Sequence, residues 1–136
     1  MVLVETSVLI DYLKGQENQA TVLFAEVIDL GIPFGISPYT YQEVLQGARN
    51  EREYRTLLEY LGTQSLYELP SGIDSFQQAA RIYYEVRRQG FTVRSSIDVR
   101  IALTAIWYGL SLLHNDSDFD ALSNCVEGLR IWSGIG

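Results

Sequence analysis

Leu110-Ser111-Leu112-Leu113-His114-Asn115-Asp116-Ser117-Asp118-Phe119 is the stretch on which the fold turns. Its apolar first half reads as a strand over 110–114, and it breaks into a polar turn carrying two carboxylates before a short helix over 118–124. The chain begins in the same way. Val2-Leu3-Val4 is a buried strand, Glu5 follows it, and Thr6-Ser7 caps a helix through Leu13 that Lys14-Gly15 ends. Between these two units the pattern predicts helices over 18–30, from Ser37-Pro38 onward, up to Leu61-Gly62, over 74–89, and from Ser95-Ser96 to Tyr108. It predicts further strands over 34–36, 65–69 and 129–132. Strands alternating with helices argue for a parallel sheet covered on both faces, within a single domain over 1–136.

Four acids stand out against this frame: Glu5, Glu43, Asp98 and Asp116. In open α/β sheets ligands sit beyond the carboxyl ends of the strands, and Glu5 and Asp116 fall just past such ends. Glu43 and Asp98 lie in helices that follow or flank them. Carboxylates gathered at one point repel one another unless a positive charge is shared, and oxygen ligands suit Mg²⁺ or Mn²⁺. Each acid also has a plainer reading. Asp98 falls on the inward face with Ile101, Ala102 and Ala105, but it also occupies a first helical turn from which it can reach back to Ser95. Glu43 lies opposite the Tyr41, Val44, Leu45 and Ala48 stripe, as a solvated residue would. Glu5 can be a helix cap, although glutamate is a poor one, and Asp116 a turn residue ahead of a Ser117/Asp120 capping pair. Asp116, Asp118, Asp120 and Glu127 fit a calcium-loop spacing, but Ala121 stands where that loop needs glycine, and a strand precedes it.

Composition narrows the function. Ten basic against seventeen acidic residues give a net charge of −7, which excludes a nucleic-acid coat protein but not an enzyme that meets nucleic acid through cations. Acidity also suits a basic protein partner. Lys14 is the only lysine among nine arginines, and Cys125 is alone, so there is no disulfide framework. The start lacks a signal-peptide pattern, and the apolar stretch over 101–113 is too short for a bilayer, so a cytoplasmic location is expected. A single histidine, His114, with no serine elbow or glycine-rich phosphate loop, argues against nucleophilic triads and P-loops. The many tyrosines suit core or oligomer faces.

Taken together, the blocks resemble the PIN-domain nucleases, above all the VapC-type toxins of toxin–antitoxin pairs. Val4 to Asp11 is similar to that family's opening strand and helix. Ile36-Ser37 with Thr40, Glu43 and Gly47 resembles its second block, Asp98 with Ile101-Ala102 and Ala105 its third, and Leu113 with Asn115 to Phe119 its fourth. The resemblance implies a three-layer α/β/α sandwich with a short parallel sheet, and metal-dependent hydrolysis of RNA. Glu5, Glu43, Asp98 and Asp116 would hold Mg²⁺ or Mn²⁺, Asp118 would assist, and Thr6 and Ser7 would steady the first acid. A small DNA-binding antitoxin of the VapB type and a homodimer are the implied partners. One departure is expected to matter: the family's first acid is aspartate, and Glu5 implies attenuated activity. Arg94 and Arg100 flank the third block as possible guides for the RNA backbone. The rivals are a catalytically idle PIN-like binding module and a receiver-type phosphoacceptor domain, for which Lys14 is poorly placed.

Overall fold

Val2–Val4 form β1, three residues without solvent exposure. A strand buried on both faces needs a neighbour on each edge, and β1 has them. In the computed structural model, which describes residues 1–135, β1 pairs in parallel with β2 (Phe34–Gly35) on one side and β3 (Ser111–Leu113) on the other, with Leu3 opposite both Gly35 and Leu112. β4 (Arg130–Ile131) extends the sheet beyond β3, giving the order β2-β1-β3-β4.

Side chains alternate across the sheet. Leu3 and Leu112 enter one core with Val99, Ile101, Phe119 and Leu122, beneath α5 (Ile73–Arg88), α6 (Ser96–Tyr108) and α7 (Ser117–Cys125). Val2, Val4 and Leu113 enter the other with Val8, Phe24 and Leu61, beneath α1 (Thr6–Leu13), α2 (Gln19–Asp29), α3 (Pro38–Gln46) and α4 (Glu51–Leu61). The result is the expected α/β/α sandwich. Among the described residues, no helix is long and apolar enough to cross a membrane.

Several predicted strands are shorter than their sequence pattern, each for a local reason. The amide of Leu110 closes α6 onto the Ala105 carbonyl at 2.8 Å, behind a left-handed Gly109 (φ 65°), so β3 starts one residue later. The segment over 65–69 is reduced to one bridge, Leu66 against Ile36, fixed by Ile36 N–H to Ser65 O and Tyr67 N–H to Ile36 O, each 2.9 Å. Glycine is needed at the facing position: a Cβ on Gly35 would lie 2.4 Å from the Tyr67 ring and 2.6 Å from the Ser65 carbonyl. Ile36, buried directly after β2, supplies that bridge.

From β1 the chain passes to β2 on one side, and β3 passes to β4 on the other. The order therefore reverses between β1 and β3, and their carboxyl ends open the crevice where such sheets bind ligands.

Candidate active site

Glu5 and Asp116 cap helices on either side of that crevice. The Glu5 amide continues the β1–β3 ladder onto the Leu113 carbonyl at 3.0 Å. Its side chain then turns back as the N-cap of α1, where Oε2 accepts the Ser7 amide at 3.1 Å and the Ser7 hydroxyl as well. Oε1 has no hydrogen-bond donor among the described residues, although Glu5 is only 7 % exposed. Asp116, rather than Ser117, is the N-cap of α7, and its Oδ1 accepts the Asp118 amide at 2.9 Å. The Asp116 amide in turn donates to His114 Nδ1 at 3.0 Å. Burial pushes His114 below the usual histidine range, and a neutral ring can accept at Nδ1. His114 Nε2 lies 3.3 Å from Asp120 Oδ1 but makes no aligned hydrogen bond.

Asp98 completes the group from the first turn of α6. Ser95 caps that helix through the Ile97 amide at 3.2 Å. Asp98 lies in that first turn, as the plainer reading has it, but makes no hydrogen bond among the described residues and so does not reach back to Ser95. One carboxylate oxygen from each of Asp98, Asp116 and Asp118 lies within 4.8 Å of the others. Asp118 thus belongs to the tightest set, which does not extend to Glu5 or Glu43. Arg94, in the loop before α6, places Nη2 3.0 Å from Asp116 Oδ1 and Nε 2.9 Å from Asp118 Oδ2.

Glu43 forms the remaining wall. It is not a freely solvated residue, because Thr6 Oγ1 donates to Glu43 Oε1 at 2.8 Å. Thr6 has a single hydroxyl proton, so Thr40 donates to Thr6 across their 3.0 Å contact, and Ser37 to Thr40 at 3.4 Å. All three hydroxyls are buried and point their protons toward Glu43. The helical wheel of α3 shows Glu43 off the apolar stripe, but it cannot show that Thr6 of another helix closes over that face. Ser37 and Thr40 were legible only as a helix cap and as part of a block.

Electrostatics tie the four predicted acids together. Burial, opposed by the Ser7 bonds and assisted by Asp98 and Glu43, raises Glu5 to about 7. Burial, with repulsion from Asp116, Asp118 and Glu43 and a partial offset from Arg94, raises Asp98 to about 6. A carboxyl with a raised folded pKa keeps its proton longer in the folded chain than in the unfolded one. Stability is then greatest below the unfolded values near 4 and falls as pH rises through 6 and 7. For Glu5 the loss is on the order of 3 kcal/mol. Calorimetry in EDTA should show the melting temperature falling between pH 5 and 7.5, and a divalent cation should reverse most of that fall. A flat profile would contradict the burial of Glu5 and Asp98 as carboxyl groups, and with it the smaller repulsion among the acids.

Other predicted residues lie elsewhere. Arg100 faces inward, bonded to Tyr39 Oη and, at 3.3 Å, to Ser75 Oγ, with Phe76 4.2 Å from its guanidinium carbon, so it is not a surface guide for RNA. Lys14 caps the opposite end of α1 from Glu5, which removes the receiver-type reading. α7 runs through the residues a calcium loop would need. Sequence reasoning had not joined Arg94 to the acids or His114 to Asp116. The second was open to it, since two-residue side-chain–amide turns are local.

A fold of this topology, with acids at the β1/β3 switch point, is that of a PIN domain, and residues 2–124 match the PIN-domain family model. The chain belongs to that family. Among curated relatives it is 31 % identical over 128 residues to VapC ribonuclease Mb1587 of Mycobacterium bovis, covering 93 % of this chain and 95 % of that protein. The same figures hold for ribonuclease VapC11 of Mycobacterium tuberculosis. Among solved structures, FitAB bound to an IR36 DNA fragment aligns with a TM-score of 0.71 at 19 % identity, over 97 % of this chain and 94 % of that one. VapBC2 of Rickettsia felis bound to a promoter fragment aligns with 0.71 at 14 %, over 97 % and 98 %.

Proposed function

We propose that this chain is the ribonuclease toxin of a toxin–antitoxin pair and hydrolyses RNA phosphodiester bonds with Mg²⁺ or Mn²⁺. The observation that carries this reading is the approach of Asp98, Asp116 and Asp118 to within 4.8 Å of one another, beside a buried Glu5 with one carboxylate oxygen free of donors. The donor set is all carboxylate, with no thiolate or imidazole in it, which fits a hard divalent cation. Glu5, Glu43, Asp98 and Asp116 form the ligand and catalytic set, with Asp118 assisting. When bound, the cation supplies charge neutralisation at the phosphate and lowers the pKa of a water. The protein's own work is placement. Ser7 holds Glu5, the Ser37–Thr40–Thr6 chain of hydroxyls holds Glu43, and the His114 bond to the Asp116 amide holds the α7 turn.

The VapC and FitAB relationships support a small antitoxin as partner, and the net charge of −7 favours a basic side chain from it at the acidic pocket. The cytoplasm is the proposed site of action. A fluorescent RNA should be cut in Mn²⁺ and spared in EDTA. One observation favours the idle binding module as a second reading: Glu5 lies outside the 4.8 Å set. RNA binding without cleavage at saturating Mn²⁺ would establish that module instead.

A further inference from the structure

Arg94 is exposed to solvent along its side chain yet ends in two ion pairs within the acidic cluster. Val93 beside it is 6 % exposed, and the Arg94 amide lies 3.5 Å from Asp118 Oδ2, whereas the Arg94 side chain is 70 % exposed. Its partners are Asp116 and Asp118, two of the three acids that could share a cation. The guanidinium shares Asp116 Oδ1 with the Asp118 amide, and it holds Asp118 Oδ2 by itself apart from the long backbone contact. A divalent cation drawing on the same pair would meet a unit positive charge a few ångströms away, and the two repel. Rotating the side chain away relieves that repulsion without moving the backbone. The arginine then stands at the rim of an acidic pocket, where the other flanking arginine, Arg100, is already tied to Tyr39 and Ser75.

We propose that Arg94 exchanges with the divalent cation on Asp116 and Asp118 and, once released, positions an RNA phosphate at the mouth of the site. The proposal rests on the nuclease reading above. In the cation-free protein Arg94 offsets the repulsion among the acids; with the cation in place the same guanidinium is a two-pronged phosphate donor.

Arg94→Gln, at an exposed position outside both cores, separates the two roles. Titration calorimetry with Mn²⁺ alone should show the variant binding about fivefold more tightly than the parent, because a competing charge is gone. Cleavage kinetics at saturating Mn²⁺ should show KM for RNA raised about fivefold with kcat within about twofold, the signature of lost uniform binding. Arg94→Lys, which keeps the charge but not the fork, should restore much of KM. Equal or weaker Mn²⁺ binding by Arg94→Gln would overturn the exchange and leave Arg94 as a support for the carboxylates. An unchanged KM would overturn the phosphate role. If the parent itself binds no Mn²⁺, the metal-dependent reading falls with the proposal, an outcome distinct from both.

Discussion

Asp98→Asn is expected to abolish RNA cleavage while making the metal-free protein more stable. The two effects have one cause. Asp98 is half-buried, makes no hydrogen bond among the described residues, and is raised to about 6 by burial first and then by Asp116, Asp118 and Glu43, against a smaller offset from Arg94. A charge in that position opposes folding, so replacing it with a neutral amide of nearly the same shape should stabilise the protein in EDTA at pH 7.5 by about 1 kcal/mol after discounting for partial exposure. For a chain of this size that is a few degrees in melting temperature. The amide offers a cation one neutral oxygen in place of a carboxylate. Substituting the partners of metal ligands typically costs 10–100-fold, so losing a ligand should cost more than about a hundredfold in cleavage. The Mn²⁺-dependent rise in melting temperature should shrink in the same variant. Cleavage retained by Asp98→Asn at matched Mn²⁺ would remove Asp98 from the site, and a variant that melted lower in EDTA would mean its carboxylate serves the fold.

That combination, a group harmful to stability and needed for chemistry, marks what the sequence could and could not disclose. The sheet was legible because Val2–Val4 and Ser111–Leu113 are short apolar runs closed by polar residues, and each places an acid just past a carboxyl end. Asp98 was legible from its inward helical face. Glu43 was legible only through its family block, because a helical wheel describes one helix and its surroundings depended on Thr6, thirty-seven residues earlier. Asp118 carried less weight in the sequence than its position warrants: the Asp116 side chain caps its amide, and its carboxylate lies with those of Asp98 and Asp116. Arg94 looked like any exposed arginine, since nothing local pairs it with an acid twenty-two residues ahead. The strand expected over 65–69 met a two-residue edge at β2, with too little ladder left to organise more than a bridge. For Glu43, Arg94 and the 65–69 segment the missing information was tertiary, whereas the turns joining His114, Asp116 and Asp118 are local.

Glu5→Asp is expected to raise the cleavage rate by up to about a hundredfold. The extra methylene of Glu5 displaces its carboxylate by about 1.5 Å relative to aspartate, and misplacement of about 1 Å can cost roughly a hundredfold in rate. In the structure that length is taken up by folding back onto α1. Both Ser7 donors land on Oε2, the residue is 7 % exposed, and Glu5 stays outside the set formed by Asp98, Asp116 and Asp118. With a pKa of about 7, Glu5 is also protonated for much of the time near neutrality, and a protonated carboxyl is a poor cation ligand. Aspartate is the better N-cap and has the lower intrinsic pKa, so the shorter residue should be held more firmly and ionised more fully. Three measurements should therefore move together in Glu5→Asp: kcat rises, the Mn²⁺ dissociation constant falls, and the acidic limb of the pH–rate profile shifts to lower pH. A rate equal to or below the parent's, with Mn²⁺ affinity unchanged, would mean that glutamate already serves this pocket as well as aspartate would, and the attenuation idea would have to be given up.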